Sequence, residues 1–270
     1  MDNNPHEGTA LIGSTGYVGS TLLKQADFRS LYNSKSIASI RGADFDCIVC
    51  AAAPAQKWIA NRDPAADRKN IDGLIANLEG VKCGKFILIS TVDVFGNPAA
   101  ADEGTRVEEN GLHPYGVHRR LLEKFVENHF PDHLVVRLPG LVGPGLRKNV
   151  IFDFLNDNNL HAIDSRGLFQ FYPMVNLWYD IQIALKEELK LIHLTAEPVS
   201  VAEVARLGFN RRFDHELANP PASYDMRTRY AELFGGAGNY QYSRRESIQA
   251  TRAYAQSEPL TVKAEEVQSK

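Results

Sequence analysis

This 270-residue sequence predicts an α/β fold built on a doubly wound parallel sheet. Two observations carry that reading. Apolar, strand-like runs alternate with amphipathic helical segments through the first 160 residues, a pattern that covers both faces of a parallel sheet with helices. The first run, GTALI at 8–12, passes directly into a glycine-rich turn, GSTGYVGS, which opens a helix from about Tyr17 to Gln25.

The following elements keep the pattern. DFDCIVCAAA, 44–53, is apolar at nearly every position, as strands buried on both faces are. It contains Cys47 and Cys50, but an odd offset along a strand sends the two side chains to opposite faces, so they read as packing cysteines rather than a redox pair. The segment 63–82 opens on Asp63 and Pro64 and sets Ile71, Leu74, Ile75 and Leu78 on one helical face. KFILISTVDVFG, 85–96, is the clearest strand, and the small and acidic residues after it form a loop able to border a site. A helix at YGVHRRLLEKFVENHF, a strand in HLVVRLPGLVGPG and a helix in KNVIFDFLNDNN complete the series.

Beyond about residue 160 the alternation loosens. LKLIHLTAEPVSVAEVARLG reads as strand, turn and helix, with Ser200 as N-cap, and the polar end from about Ala255 reads as frayed. The division expected is a nucleotide-binding domain over 1–160 and a small substrate lobe over 161–270, interleaved with it.

Composition narrows the function. Hydrophobic residues are 44%, charged residues 23% and the net charge −3, which describes a globular protein with no electrostatic case for nucleic acid or an anionic membrane. No apolar run approaches the ~18 residues of a membrane span. The N-terminus, MDNNPHEG, lacks the basic and apolar regions of a signal peptide, so the cytoplasm is expected. Three cysteines suit a reducing compartment, and the eight histidines show no ligand-like grouping, so no metal is expected.

Gly13, Gly16 and Gly19 have the spacing G-x-x-G-x-x-G between a strand and a helix. The first lets the chain turn off the strand, the second lets backbone approach a pyrophosphate, and the third lets helix and sheet pack closely. The helix N-terminus then offers free N–H groups to phosphate. This makes the fold a Rossmann-type sheet and the cofactor NAD or NADP. Around DFRSLYNSKSI, Asp27 comes early for the acid that holds an adenosine ribose, while Arg29, Ser34 and Lys35 suit a 2′-phosphate, which tilts the choice slightly to NADP.

With these pieces in place the chain resembles the extended short-chain dehydrogenase/reductase family of sugar-nucleotide epimerases, dehydratases and reductases. GSTGYVGS is similar to its glycine loop, VCAAAP to the loop after its fourth strand, and NIDGLIANLEGVK to its Asn-Val-x-Gly-Thr helix. ISTVDVFG resembles its Ser/Thr strand end, YGVHR its Tyr-x-x-x-Lys, and VVRLPGLVGPG its Arg-Pro…Gly-Pro-Gly segment. The resemblance implies a cofactor contacted by Gly13, Thr15, Gly16, Tyr17, Val18 and Gly19, by Ala51, Ala52, Ala53 and Asn70, and by Tyr115, Arg119, Pro139 and Leu141. It also implies a homodimer through the helices at 63–82 and 115–129.

Thr91 falls at a strand's C-terminal end, where open α/β sheets bind ligands, and its hydroxyl can donate to a substrate oxygen. Tyr115 can give or take a proton, and a cation one helical turn on is expected to lower its pKa from about 10. That cation is Arg119, where the family pattern has lysine. It keeps the charge but is bulkier and planar. The neighbouring His118 is open to two readings, a contributor at the site or, since it faces about 100° away on a helix, an exposed residue. Asp93, two residues after Thr91, is open to two readings: the proton-transfer carboxylate that related dehydratases and decarboxylases place there, or a local turn bond.

The later half says less about the substrate. Phe169, Phe171, Tyr172, Trp178 and Tyr179 suit a lobe core better than a pocket, and Arg147, Lys148, Arg211 and Arg212 offer a phosphate clamp or a solvated surface. The chain is shorter than usual for the family's sugar-nucleotide enzymes, which favours a smaller carbonyl substrate. The expected activity is hydride transfer at a hydroxyl or ketone carbon of a sugar-like or small carbonyl substrate. The alternatives are a non-catalytic NAD(P)-binding sensor and an epimerase or decarboxylase that retains NAD.

Overall fold

The computed structural model describes residues 8–261; the polar N-terminal stretch and the last residues lie outside it. Six parallel strands, β1 (Thr9–Ile12), β2 (Ser30–Tyr32), β3 (Asp44–Cys50), β4 (Lys82–Thr91), β5 (His133–Leu138) and β9 (Leu191–His193), form one sheet in the order β2-β1-β3-β4-β5-β9. The chain leaves β1 to one side and returns to β3 on the other. The crevice between their C-terminal ends is therefore the topological switch point, where such sheets take ligands.

The alternation of side chains along the strands builds two cores. Ala10, Ile12, Ile48, Cys50, Phe86 and Leu88 face α3 (Pro64–Leu78) and α4 (Pro114–His129), which contribute Ile71, Leu74, Leu78, Leu122 and Val126. Leu11, Val49, Ile87, Ile89, Leu134 and Val136 face α1 (Tyr17–Leu22) and α6 (Leu177–Lys186), which contribute Leu22, Leu177, Ile181 and Ala184. Each fully buried aliphatic side chain adds about 1.5–3 kcal/mol. Cys47 and Cys50 sit in opposite cores as free thiols, and burial pushes both up to about 11.

α3 starts where Asp63 accepts the N–H of Ala66 and Pro64 takes the first turn; α4 starts on His113, whose Nδ1 accepts the N–H of Gly116. α4 is also fixed from within the sheet. Glu123 on α4 is fully buried, binds Arg137 of β5 through both oxygens at 2.9 and 2.8 Å, and accepts from Ser90 at 2.6 Å. Burial raises the Glu123 carboxyl, but Arg137, Ser90 and Arg120 outweigh it and hold the group below its usual range.

The second half is not all lobe, because α6 and β9 complete the sheet. The remainder comprises the short strands β6 (Gly140–Val142), β7 (Leu168–Phe169), β8 (Phe171–Pro173) and β10 (Val199–Ser200). Its helices are α5 (Val150–Asn156), α7 (Val201–Glu203, continued by a wide turn to Gly208) and α8 (Arg244–Ser257). Val142, Ile151, Phe154, Phe171, Val204, Ile248 and Tyr254 share its core. Ser200 caps α7 in a full capping box, as its position suggested; α8 carries the chain as helix to Ser257, and residues 262–270 of the end expected to fray lie outside the described residues. Among the aromatic residues, Phe171 and Tyr172 are core, Trp178 is half-buried and Tyr179 is 66% exposed. No helix among the described residues is long and apolar enough to cross a membrane.

One buried carboxyl carries a pH signature. Asp180 accepts from Tyr172 at 2.5 Å and from Tyr242 at 2.9 and 3.0 Å. Burial nevertheless pushes it up to about 6, and both phenols lie above their ordinary value. The folded state therefore binds a proton that the unfolded state releases between its ordinary pKa of 3.8 and about 6. Stability from this group is full below that window and is lost as pH rises through it, by up to about 3 kcal/mol. Asp180→Asn should remove this dependence, so that the wild type loses ground to the variant between pH 4.5 and 7.5. A constant difference in urea unfolding free energy across that range would refute the assignment.

Candidate functional site

The glycine loop lies in the switch-point crevice. Gly13 has φ +89°, and a Cβ there would run into the backbone of Ala51 and Ala52 after β3. A Cβ on Gly19 would strike the Gly13 carbonyl, so the third glycine sets how closely α1 approaches the loop. Gly16 stands at the N-cap with no side-chain cap, and the first N–H groups of α1 have no intrahelical acceptor. Thr15 and Gly16 are exposed at the mouth, and Ala51, Ala52 and Ala53 are half-buried beside them. These residues form the cradle a dinucleotide pyrophosphate fits.

At the adenosine end, Gly13 and Ser14 donate to the Tyr32 carbonyl, which draws the end of β2 against the loop. Asn33–Ser34–Lys35 follow, with Asn33 Oδ1 accepting the N–H of Lys35 at 2.9 Å, and no carboxylate stands there. Ser34 is exposed on the ligand edge. Arg29 is corrected: its N–H bonds the Thr9 carbonyl and its side chain lies against Gly8, at the opposite edge of the sheet from the glycine loop.

Thr91 ends β4 and its hydroxyl oxygen accepts the N–H of Asp93 at 3.2 Å. Tyr115, in the first turn of α4, is 6% exposed, and the neighbouring Thr91 hydroxyl favours its charged form. Its N–H is held by Asn61 of α2 (Lys57–Arg62) at 3.0 Å. Pro139 and Leu141 follow β5 on the same edge. The structure thus brings Thr91, Asp93, Tyr115 and Arg119 together from β4 and α4.

Arg119 pulls the Tyr115 phenol down, as its charge implies, but it is also committed elsewhere. Its guanidinium stacks 4.2 Å from the Tyr115 ring centre, but NH1 and NH2 bind both oxygens of Asp67 on α3 at 3.0 and 2.9 Å, and NH2 also donates to the Pro54 carbonyl. The charge is compensated by a carboxylate the sequence reading overlooked. Burial is the largest influence on Tyr115 and raises it; Arg119 and Thr91 pull it down, Asp93 adds to the rise, and the phenol ends above its ordinary value rather than below it. Arg119 Nε is buried without a partner, the one such side-chain atom among the described residues.

Two more assignments shift with Asp67. His118 is buried rather than exposed, with Nδ1 2.7 Å from Asp67 Oδ2. Asn70, expected at the cofactor, is on the exposed face of α3. Asp67 carries the signal that was missed: an acid inside a helix otherwise exposed around it. Burial raises its carboxyl, but Arg119 and His118 outweigh that and lower it.

Asp93 is salt-bridged to Lys57 of α2 at 2.6 Å, and Tyr224, from the C-terminal lobe, donates to the same oxygen at 3.2 Å. Neither partner was legible in sequence, lying 36 and 131 residues away. Lys148 donates to the Ala55 carbonyl over the same cleft, whereas Arg211 pairs with Asp157 and Arg212 with Asp214, so no four-residue clamp forms.

No family model and no curated protein matches the chain in sequence. Solved structures match in shape. A dTDP-4-dehydrorhamnose reductase from Clostridium acetobutylicum superposes with a TM-score of 0.70 at 17% identity, over 92% of this chain and 98% of that one. A UDP-glucose 4-epimerase from Thermotoga maritima, solved with UDP-glucose, gives 0.68 at 16% over 92% and 98%. A dTDP-glucose 4,6-dehydratase from Streptomyces venezuelae, solved with NAD and TYD, gives 0.70 at 14% over 93% and 97%. The match spans nearly the whole of each of these chains. The chain has the fold of the extended short-chain dehydrogenases/reductases.

Proposed function

We propose that the protein is an NAD(P)-dependent oxidoreductase or epimerase acting at a hydroxyl or ketone carbon of a sugar-like or small carbonyl substrate. The observation that carries this is the buried Tyr115 phenol beside Thr91 at the ligand edge, across from a glycine cradle that side chains would fill. A bound nicotinamide supplies the hydride acceptor or donor. The protein's own part is to hold a substrate oxygen against Thr91 Oγ1 and Tyr115 Oη. Tyr115 exchanges the proton as the carbon changes oxidation state, and Thr91 donates to the oxygen. Protonated near neutrality, Tyr115 is set to act as an acid, which suits reduction of a carbonyl.

The glycine cradle holds the pyrophosphate in this reading, with Ala51–Ala53, Pro139 and Leu141 along its course. The absence of an acid at Asn33–Ser34–Lys35 supports NADP over NAD. Gly19→Ala should weaken NADPH binding more than tenfold, read by fluorescence titration, because its Cβ would collide with Gly13; unchanged affinity would exclude this loop as the binding site. The homodimer through α3 and α4 remains part of the proposal, and a monomeric mass in solution would refute it.

A non-catalytic NAD(P)-binding role has its own supporting observation: Arg119 is spent on Asp67 and Pro54, and Tyr115 is raised. NADPH oxidation in the presence of ketones and 4-keto sugars separates the two. Dependence on Tyr115 supports the enzyme, and tight binding without turnover supports the sensor. Cofactor retained through purification, with no use of added cofactor, would instead favour an epimerase or decarboxylase that recycles NAD.

A further inference from the structure

Beside Thr91 and Tyr115 the structure assembles a second polar group from three distant segments. Lys57 Nζ lies 2.6 Å from Asp93 Oδ1 and 3.2 Å from Tyr224 Oη, and Tyr224 Oη lies 3.2 Å from the same Asp93 oxygen. The three close a triangle. Tyr224 is fixed by a stacked contact with Phe169, ring centres 5.5 Å apart, and its N–H donates to the Leu168 carbonyl. Asp93 is fixed by its N–H on Thr91 and by the α4 start, where Gly116 packs on the Asp93 carbonyl.

The arrangement argues against Asp93 as a free proton carrier, because Oδ1 already accepts from both the Lys57 ammonium and the Tyr224 phenol. It leaves hydrogen-bonding capacity unused. Among the described residues both donors fall on Oδ1, so Oδ2 keeps its lone pairs, and Lys57 has three protons for two partners. The cluster is open to a ligand: the Lys57 side chain is 36% exposed and that of Asp93 17%. One hydroxyl can donate to Oδ2 while accepting from Nζ, and an unsubstituted carbon can do neither.

We propose that Asp93, Lys57 and Tyr224 form a hydroxyl-binding subsite which selects carbonyl substrates carrying a hydroxyl beside the reacting carbon. The inference rests on the reading of Thr91 and Tyr115 as the reacting pair. Asp93 follows Thr91 by two residues in the turn that ends β4, and its charge acts on Tyr115, so the hydroxyl it would bind lies beside the reacting oxygen. Lys57 and Tyr224 act as positioning residues for substrate, and their loss is expected in KM and in substrate preference rather than in the pH profile of Tyr115.

The test uses the full chain with NADPH and two probes of sugar-ring size, cyclohexanone and 2-hydroxycyclohexanone. Binding is followed by ligand-observed NMR and turnover by NADPH absorbance. The wild type should bind and turn over the hydroxyketone about 10- to 100-fold better, the range of one to two charge-assisted hydrogen bonds. Lys57→Met and Asp93→Asn should bring the ratio close to one. Tyr224→Phe, which keeps the stack on Phe169, should reduce it and guards against misfolding of the other two. Equal binding of both probes by the wild type, or a preference that survives all three substitutions, overturns the subsite. Turnover without preference also sinks the subsite and leaves the oxidoreductase reading standing. A hydroxyl-dependent binding preference without turnover supports the subsite and sinks that reading instead.

Discussion

Tyr115→Phe is expected to lower NADPH-dependent carbonyl reduction by about 10²- to 10⁴-fold, the usual worth of a positioned general acid or base. Cofactor affinity and unfolding free energy should change little, because the phenol's polar neighbour, Thr91, stands at the ligand edge. The ring itself stays in its packing, under the Arg119 guanidinium and within α4. A split of this kind distinguishes chemistry from architecture. A drop in stability alongside activity would mean that the hydroxyl is an anchor, and retained activity would remove Tyr115 from the mechanism.

The pH dependence follows from the same environment. Burial and Asp93 raise the phenol while Arg119 and Thr91 lower it, and the net direction is upward. Reduction should therefore hold level through neutral pH and fall only on the alkaline side, as the acid form is lost. Thr91→Val should lower the rate and raise the phenol further, since it removes a hydroxyl that favours the charged form.

How much of this was legible in sequence depended on how local each signal was. The strands were readable because residues buried on two faces are apolar at successive positions, as in β3 and the second half of β4. The glycine loop was readable because all three residues belong to one turn. β2, with only Ser30–Tyr32, and α2, six residues joined to α3 through Asp63 alone, left too few positions for a periodic pattern. The site failed at its long-range pairings. Tyr115 and Arg119 were identified, but what Arg119 does depends on Asp67, 52 residues earlier, and what Asp93 does depends on Lys57 and Tyr224. A spacing of four on one helix shows which side chains are neighbours. It does not show that a third chain segment has already neutralised one of them.

The second large effect concerns that neutralisation. Asp67→Ala should destabilise the fold by about 3–5 kcal/mol, because it leaves a guanidinium that is only 3% exposed without its counter-charge. The double variant Asp67→Ala/Arg119→Met should recover most of that loss, since removing both charges avoids the cost of a lone buried ion. Arg119→Lys should also lose stability, by about 1–3 kcal/mol, as one ammonium cannot reach both Asp67 oxygens and the Pro54 carbonyl together. These changes are read in urea unfolding of each variant. If Asp67→Ala lies within about 1 kcal/mol of wild type, the usual ceiling for an exposed pair, Arg119 is not committed to the α3–α4 contact and its charge is available to Tyr115. If the predicted order holds, the arginine at this position is first a clamp that sets α4 against α3 and the loop after β3. Its charge still pulls the phenol down, but burial, the larger influence, keeps Tyr115 protonated beside a permanent cation.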